Sequence, residues 1–186
     1  NAKGVSFLVE LGDFKDQDKS PDESRTLGYL QRIESVFAGF NGPRYHVLGN
    51  HDTDSLSKAQ FLAAAPNTGI VPNAARYTFV TGGVRFVVLD ANHQADGSAY
   101  DHGHFDWTDT NIDAPQLDWL AKTLAASTQP VIILVHQPLD GTGDLWVKNA
   151  AQVRAVLEKS EKVIAVLHGH RHEGAFSTIN GIPYFT

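Results

Sequence analysis

The chain has 186 residues, 42% hydrophobic and 19% charged, which is enough for one globular domain with a sizeable core and excludes a disordered or fibrous chain. A net charge of −6 argues against a general nucleic-acid or anionic-membrane binder, although cations could still bring phosphate to an acidic protein. There is no cysteine, hence no disulfide and no thiolate nucleophile or ligand, and no apolar run nears the ~20 residues that span a bilayer.

In chain order, Val5 to Leu11 reads as a buried strand running into Gly12-Asp13. Ser20-Pro21-Asp22-Glu23 has the form of a capping box with Ser20 as cap, and Leu27, Leu30, Ile33 and Phe37 recur at helical spacing after it. Arg44 to Leu48 reads as a second strand, delivering Gly49-Asn50-His51-Asp52, and a short helix is expected over Leu56 to Ala64. Arg76 to Val80 and Val84 to Leu89 form a predicted hairpin, and residues 91–113 a long polar loop. A helix opening at Asp113-Ala114-Pro115-Gln116 precedes the strand Val131 to Val135, which delivers His136. A helix near Asn149 to Leu157 and the strand Val163 to Leu167 lead to Gly169-His170-Arg171-His172, and two short strands, Phe176 to Ile179 and Ile182 to Phe185, close the chain.

Strands and helices alternate, so the expected class is α/β with layers, and the polar motifs follow the C-terminal ends of four strands, the edge where open α/β sheets bind ligands. Each motif alone reads as an ordinary turn. Together they place a carboxylate, an asparagine oxygen and several imidazoles in one region, a donor set that favours Mn, Fe, Co or Zn over Ca or Mg. Such cations can clamp a phosphoryl group and acidify a water, so no covalent nucleophile is needed. No Gly-x-Ser-x-Gly elbow is present either.

Gly12-Asp13, Gly49-Asn50-His51-Asp52, His136 and Gly169-His170-Arg171-His172, in that order over nearly the whole chain, resemble the calcineurin-like metallophosphoesterases. Gln116-Leu117-Asp118-Trp119-Leu120 and His136-Gln137-Pro138 strengthen the resemblance. It implies an α/β/β/α sandwich and a binuclear centre of two divalent transition metals, Mn favoured over Fe or Zn. Asp13 would bridge both metals, Asn50, His136 and His170 would complete one site, and His172 would belong to the other. His51 would face the substrate as general acid or phosphoryl donor, with Asp52 orienting it. The implied reaction is hydrolysis of a small-molecule phosphate ester by metal-activated water. Diester or diphosphate bonds are preferred to monoesters, as in the branch with cyclic-nucleotide phosphodiesterases and manganese-dependent ADP-ribose or CDP-alcohol pyrophosphatases. A phosphomonoesterase and a catalytically impaired metal- or phosphate-binding protein are the alternatives.

The family's opening Asp-x-His block is absent. Residues 1–186 are therefore expected to form a single domain incomplete at both ends, with the first strand and its helix missing and Phe185-Thr186 a strand cut short. Of the remaining residues, His46 is expected to be structural, and His168 to finish a strand or support the metal shell. His93, His102 and His104 belong to the solvated loop, where Tyr100, Phe105 or Trp107 could form a substrate wall and His102-Gly103-His104 could replace the lost ligands. Arg171 is expected to point away from the metals, and Asp140 and Asp144 to be turn residues.

Overall fold

The computed structural model describes residues 4–17 and 22–186. Ser20 and Pro21, read as the start of a capping box, lie outside the described residues; the first helix is capped by Asp22, whose side chain accepts from the Arg25 N–H.

Six strands form the larger sheet: β3 (Tyr77–Thr81), β4 (Val84–Val88), β5 (Val131–Leu134), β6 (Val163–Leu167), β7 (Phe176–Ile179) and β8 (Ile182–Phe185), in the order β3-β4-β5-β6-β8-β7. Strands β4, β5, β6 and β8 run parallel, and an antiparallel hairpin closes each edge. Both hairpins turn on two residues with positive φ, Gly82-Gly83 and Asn180-Gly181, the backbone that a two-residue loop between twisted strands requires. A second sheet has two parallel strands, β1 (Leu8–Glu10) and β2 (Arg44–His46). Four helices complete the fold: α1 (Glu23–Phe37), α2 (Lys58–Ala64), α3 (Ala114–Ala126) and α4 (Ala150–Ser160).

The period-two pattern of the central strands sorts side chains into two cores. On one face, Val87, Val131, Ile133, Val163 and Val166 pack against Leu120, Leu124, Val153 and Leu157 of α3 and α4. On the other face, Phe86, Val88 and Leu134 meet Tyr45, Phe79 and the half-buried Phe7, Val9 and Leu11. A third core, with Leu30, Leu48, Leu56, Phe61 and Leu62, joins α1 and α2 to the loop that follows β2, and His46 of β2 meets Glu34 of α1. The layers therefore run α3/α4, six-stranded sheet, two-stranded sheet, α1/α2, which is the expected α/β/β/α order. None of the helices among the described residues is long and apolar enough to cross a membrane.

Three expectations need adjustment. Val5 to Leu11 is a buried strand in the sequence reading, but β1 has three residues and is half-buried. Ile33 is exposed; Thr26, Leu30 and Glu34 are the buried positions of α1, because Glu34 turns inward to reach His46. The predicted second strand ends at His46, and Val47 to Asn50 continue as buried loop.

Candidate metal centre

Three of the sequence motifs converge because their glycines permit it. A Cβ on Gly49 would collide with the Asp13 amide and carboxylate, and one on Gly12 would collide with the His136 ring. At Gly169 it would lie 2.8 Å from the Leu11 carbonyl oxygen. The glycine in each motif therefore marks a backbone approach that no side chain could share.

Asp13 follows β1, Asn50 follows β2, His136 follows β5 and His170 follows β6. Asp13 Oδ2 lies 3.1 Å from His136 Nε2, and His136 Nε2 lies 3.2 Å from His170 Nδ1. One ligand atom from each of Asp13, His136 and His170 falls within 4.8 Å of the others. Asp13 and His170 both have positive φ, 57° and 68°, a backbone region unfavourable for side-chain-bearing residues and found where structure holds a functional group in place.

The donors are prepared for a cation. His136 is buried and its Nδ1 donates to the Leu11 carbonyl at 2.6 Å, which fixes the tautomer and leaves Nε2 facing Asp13. Burial opposes its protonation, but the hydrogen bond and charge of Asp13 outweigh that and raise its pKa. Burial would raise Asp13, yet the contacts and charge of His136 hold it at about 2, so it is ionised. Burial, reinforced by the His136 charge, lowers His170 to about 4 and keeps it neutral. The Asn50 side-chain oxygen and His170 Nε2 are both buried without a hydrogen-bond partner among the described residues. Buried polar atoms are seldom left so, and a cation held beside Asp13 would satisfy the Asn50 oxygen. The donor set, one carboxylate, two imidazoles and an amide oxygen, fits a divalent transition metal.

His172 is exposed and lines the cavity but is not one of the clustered three. The cavity is about 460 Å³ and opens over Asp13, Asn50, His51 and His170. Phe105 and Trp107 form one wall, with the Trp107 ring centred 6.2 Å from that of His170. Tyr100 is buried and stacks on Phe105 with centroids 3.9 Å apart, so it supports the wall.

His51 and Asp52 occupy the single 3₁₀ turn His51–Thr53, and here the assigned partnership changes. His51 Nδ1 pairs with Asp54 at 2.6 Å, not with Asp52. In a helical turn the residue at i+3 shares a face with residue i, whereas i+1 points elsewhere. Asp52 points inward and accepts four backbone N–H groups: Asp13 at 3.0 Å and Gly49 at 2.8 Å on one oxygen, Phe14 at 2.9 Å and Lys15 at 3.4 Å on the other. Burial and the Glu10 charge push Asp52 up to about 7, against donors that favour its ionised form. Asp52 thus stitches the Gly12-Asp13 and Gly49-Asn50 loops together.

His51 itself is exposed and faces the cavity, while its backbone N–H donates to Asp13 Oδ1 at 3.0 Å. The hydrogen bond that His51 donates to Asp54 lifts its pKa to about 8, with the charge of Asp13 adding to it. Buried Lys15, absent from the sequence reading, donates Nζ to the His51 carbonyl.

The other histidines lie elsewhere. His46 is buried between Glu10, at 3.1 Å, and Glu34, at 3.2 Å. Glu10 in turn accepts the Gly12 N–H at 2.6 Å, which supports the turn carrying Asp13. Burial lowers His168 to about 4, and its Nε2 accepts the Leu139 N–H. His93 lies by Lys58 and Asp90, and His102 pairs with Glu23 and Asp101, so His102 does not replace a ligand. Asp144 pairs with Lys148, as a turn residue would.

The family model described as calcineurin-like phosphoesterase matches residues 1–174. The chain belongs to that family. Among the family's curated proteins it is 28% identical over 218 residues to a manganese-dependent ADP-ribose/CDP-alcohol diphosphatase of Arabidopsis thaliana, covering 92% of this chain and 66% of that one. It is 29% identical over 182 residues to a probable cyclic nucleotide phosphodiesterase of Rhodococcus erythropolis, covering 95% of this chain and 54% of that one. The chain thus spans between 54% and 66% of the length of these two relatives. A dimetal phosphatase from Danio rerio has the same fold, with a TM-score of 0.76 at 21% identity over 98% of this chain and 72% of that one.

Proposed function

We propose that the chain hydrolyses phosphodiester or diphosphate bonds in small molecules with the help of divalent transition metal, manganese favoured. Asp13, Asn50, His136 and His170 would hold one cation, and Asp13 and His172 would serve a second. The observation that supports this most is the cluster of Asp13, His136 and His170 within 4.8 Å beside an unpartnered Asn50 oxygen. The relatives named as diphosphatase and phosphodiesterase support the bond type, and the manganese-dependent one supports the metal. A bound cation supplies Lewis acidity towards a phosphoryl oxygen and lowers the pKa of water.

The chain's own groups do the rest. Asp13 and the neutral His170 present lone pairs, and the Leu11 carbonyl holds His136 in register. His51 carries its proton at neutral pH and gives it to the departing oxygen, or donates to the phosphoryl group. Asp54 takes the orienting role first given to Asp52. That residues 1–186 form one domain belongs to the same proposal, and the gathering of Asp13 with His136 and His170 from distant parts of the chain supports it.

The substrate class is tested with manganese by comparing bis(4-nitrophenyl) phosphate and ADP-ribose with 4-nitrophenyl phosphate. A higher kcat/KM for the first two is expected, and a clear preference for the monoester would overturn the assignment.

His51→Ala should lower kcat by roughly 10²- to 10⁴-fold while leaving manganese content near that of the parent chain. Loss of metal in that variant would place His51 among the ligands. The pH profile has a definite sign. A general acid works in its protonated form, so the rate should fall as pH rises through about 8. Asp54→Asn removes the group that raises His51 most and should move the falling limb towards the ordinary histidine value of about 6.5. An unmoved limb would show that another group sets it.

A further inference from the structure

Arg171 is expected from the sequence to turn away from the site, yet it lines the same cavity as Asp13, His51 and His170. Its guanidinium carbon lies 5.0 Å from the centre of the Trp146 ring. That ring is itself fixed. Its indole N–H donates to Asp140 Oδ1 at 3.2 Å, and Asp140 Oδ2 accepts the Ser177 hydroxyl at 2.6 Å. Gly141 lies so close that a Cβ there would collide with the indole, and at Gly143 a Cβ would be 3.2 Å from the ring. Asp140, read from the sequence as a turn residue, thus holds the platform beneath Arg171.

The guanidinium resting on this platform has no anion of its own. Among the described residues its side chain makes no hydrogen bond or ion pair, and its Nε is buried without a partner. An arginine set over an aromatic ring, without a carboxylate, keeps its two Nη groups free for a phosphate, which they can bind in bidentate fashion. His51 and the Asp13-His136-His170 cluster already address the phosphoryl group that reacts. Arg171 reaches the cavity from the Trp146 side, one residue beyond His170.

We propose that Arg171 is a specificity residue that binds the second, non-reacting phosphate of a diphosphate-linked substrate. This rests on the hydrolase reading above and narrows it. A cyclic nucleotide or simple diester offers only the phosphate that the cluster takes, whereas a diphosphate offers one more for the guanidinium.

The test is equilibrium binding of imidodiphosphate and of inorganic phosphate to the manganese-loaded chain. Both anions are titrated at one fixed manganese concentration into the parent chain, Arg171→Ala and Arg171→Lys, so that chelation by the anion cancels between variants. Arg171→Ala should weaken imidodiphosphate by about 10- to 100-fold, the range for losing a charge-assisted hydrogen-bond pair, with a much smaller change for phosphate. Arg171→Lys should recover only a minor part, because an ammonium lacks the fork. Equal weakening of both anions, no weakening of either, or full rescue by lysine would overturn the proposal, as would a parent chain with no preference for the diphosphate. Selective diphosphate binding in a chain that cleaves neither ADP-ribose nor bis(4-nitrophenyl) phosphate would uphold the Arg171 assignment while the hydrolase reading fails.

Discussion

Asp13→Ala should lower turnover by about 10³-fold or more and release the bound metal on dialysis. Its carboxylate is the only anionic group in the three-residue cluster, with one oxygen on His136 and the other accepting the His51 N–H. Losing one anionic ligand, together with the several kcal/mol of charge stabilisation that its cation would supply, corresponds to about three decades in rate, since each decade is about 1.4 kcal/mol. Alanine also fits poorly at a φ of 57°. Asp13→Asn separates the two effects, because asparagine tolerates that backbone and can still accept from His51. It should preserve the melting temperature of the parent while losing metal and activity to a similar extent. Metal content by elemental analysis and steady-state hydrolysis check both variants, and retained metal-dependent turnover in Asp13→Ala would contradict the role given to Asp13.

Asp52→Ala should be the most destabilising single change at the site. It strands four backbone N–H groups of two loops that face each other in a buried turn. At about 1–3 kcal/mol for each donor that water does not reach, the loss is on the order of 4 kcal/mol. Asp52→Asn keeps one accepting oxygen but turns an NH₂ group towards the other two donors, so it should lose about half as much. Urea denaturation measures both. A loss below about 1 kcal/mol in Asp52→Ala would mean that the loops hold each other without it.

The sequence carried the layers and the gathering of Asp13, His136 and His170 because both rest on local rules. Continuous apolar runs at Val131 to Val135 and Val163 to Leu167 mark strands, and the structure places strands there. Gly12, Gly49 and Gly169 announced where backbone and ring would touch, so the motifs could be read before any contact was known. Side-chain direction was the weak point. Whether His51 pairs with the next residue or the one three along depends on a single 3₁₀ turn, and the turn presents Asp54 where Asp52 is expected. Two aspartates at i+1 and i+3 of a histidine in a helical turn were the available signal. Arg171, between His170 and His172, is expected to point away from the metals; the Trp146 ring beside it comes from a loop 25 residues earlier, which no local pattern reports. The separation of β1 and β2 into their own sheet is likewise a long-range choice, made by the aromatic cluster of Phe7, Tyr45, Phe79 and Phe86.

The most direct test of the centre is pulsed electron paramagnetic resonance of manganese bound to this chain, read for nitrogen couplings. Two imidazole nitrogens are expected on the bound ion, one disappearing in His136→Ala and the other in His170→Ala, with His51→Ala unchanged. Manganese that binds without nitrogen couplings, or whose couplings are the same in both variants as in the parent chain, would show that the ion sits elsewhere and that the convergence of Asp13, His136 and His170 does not make a metal centre.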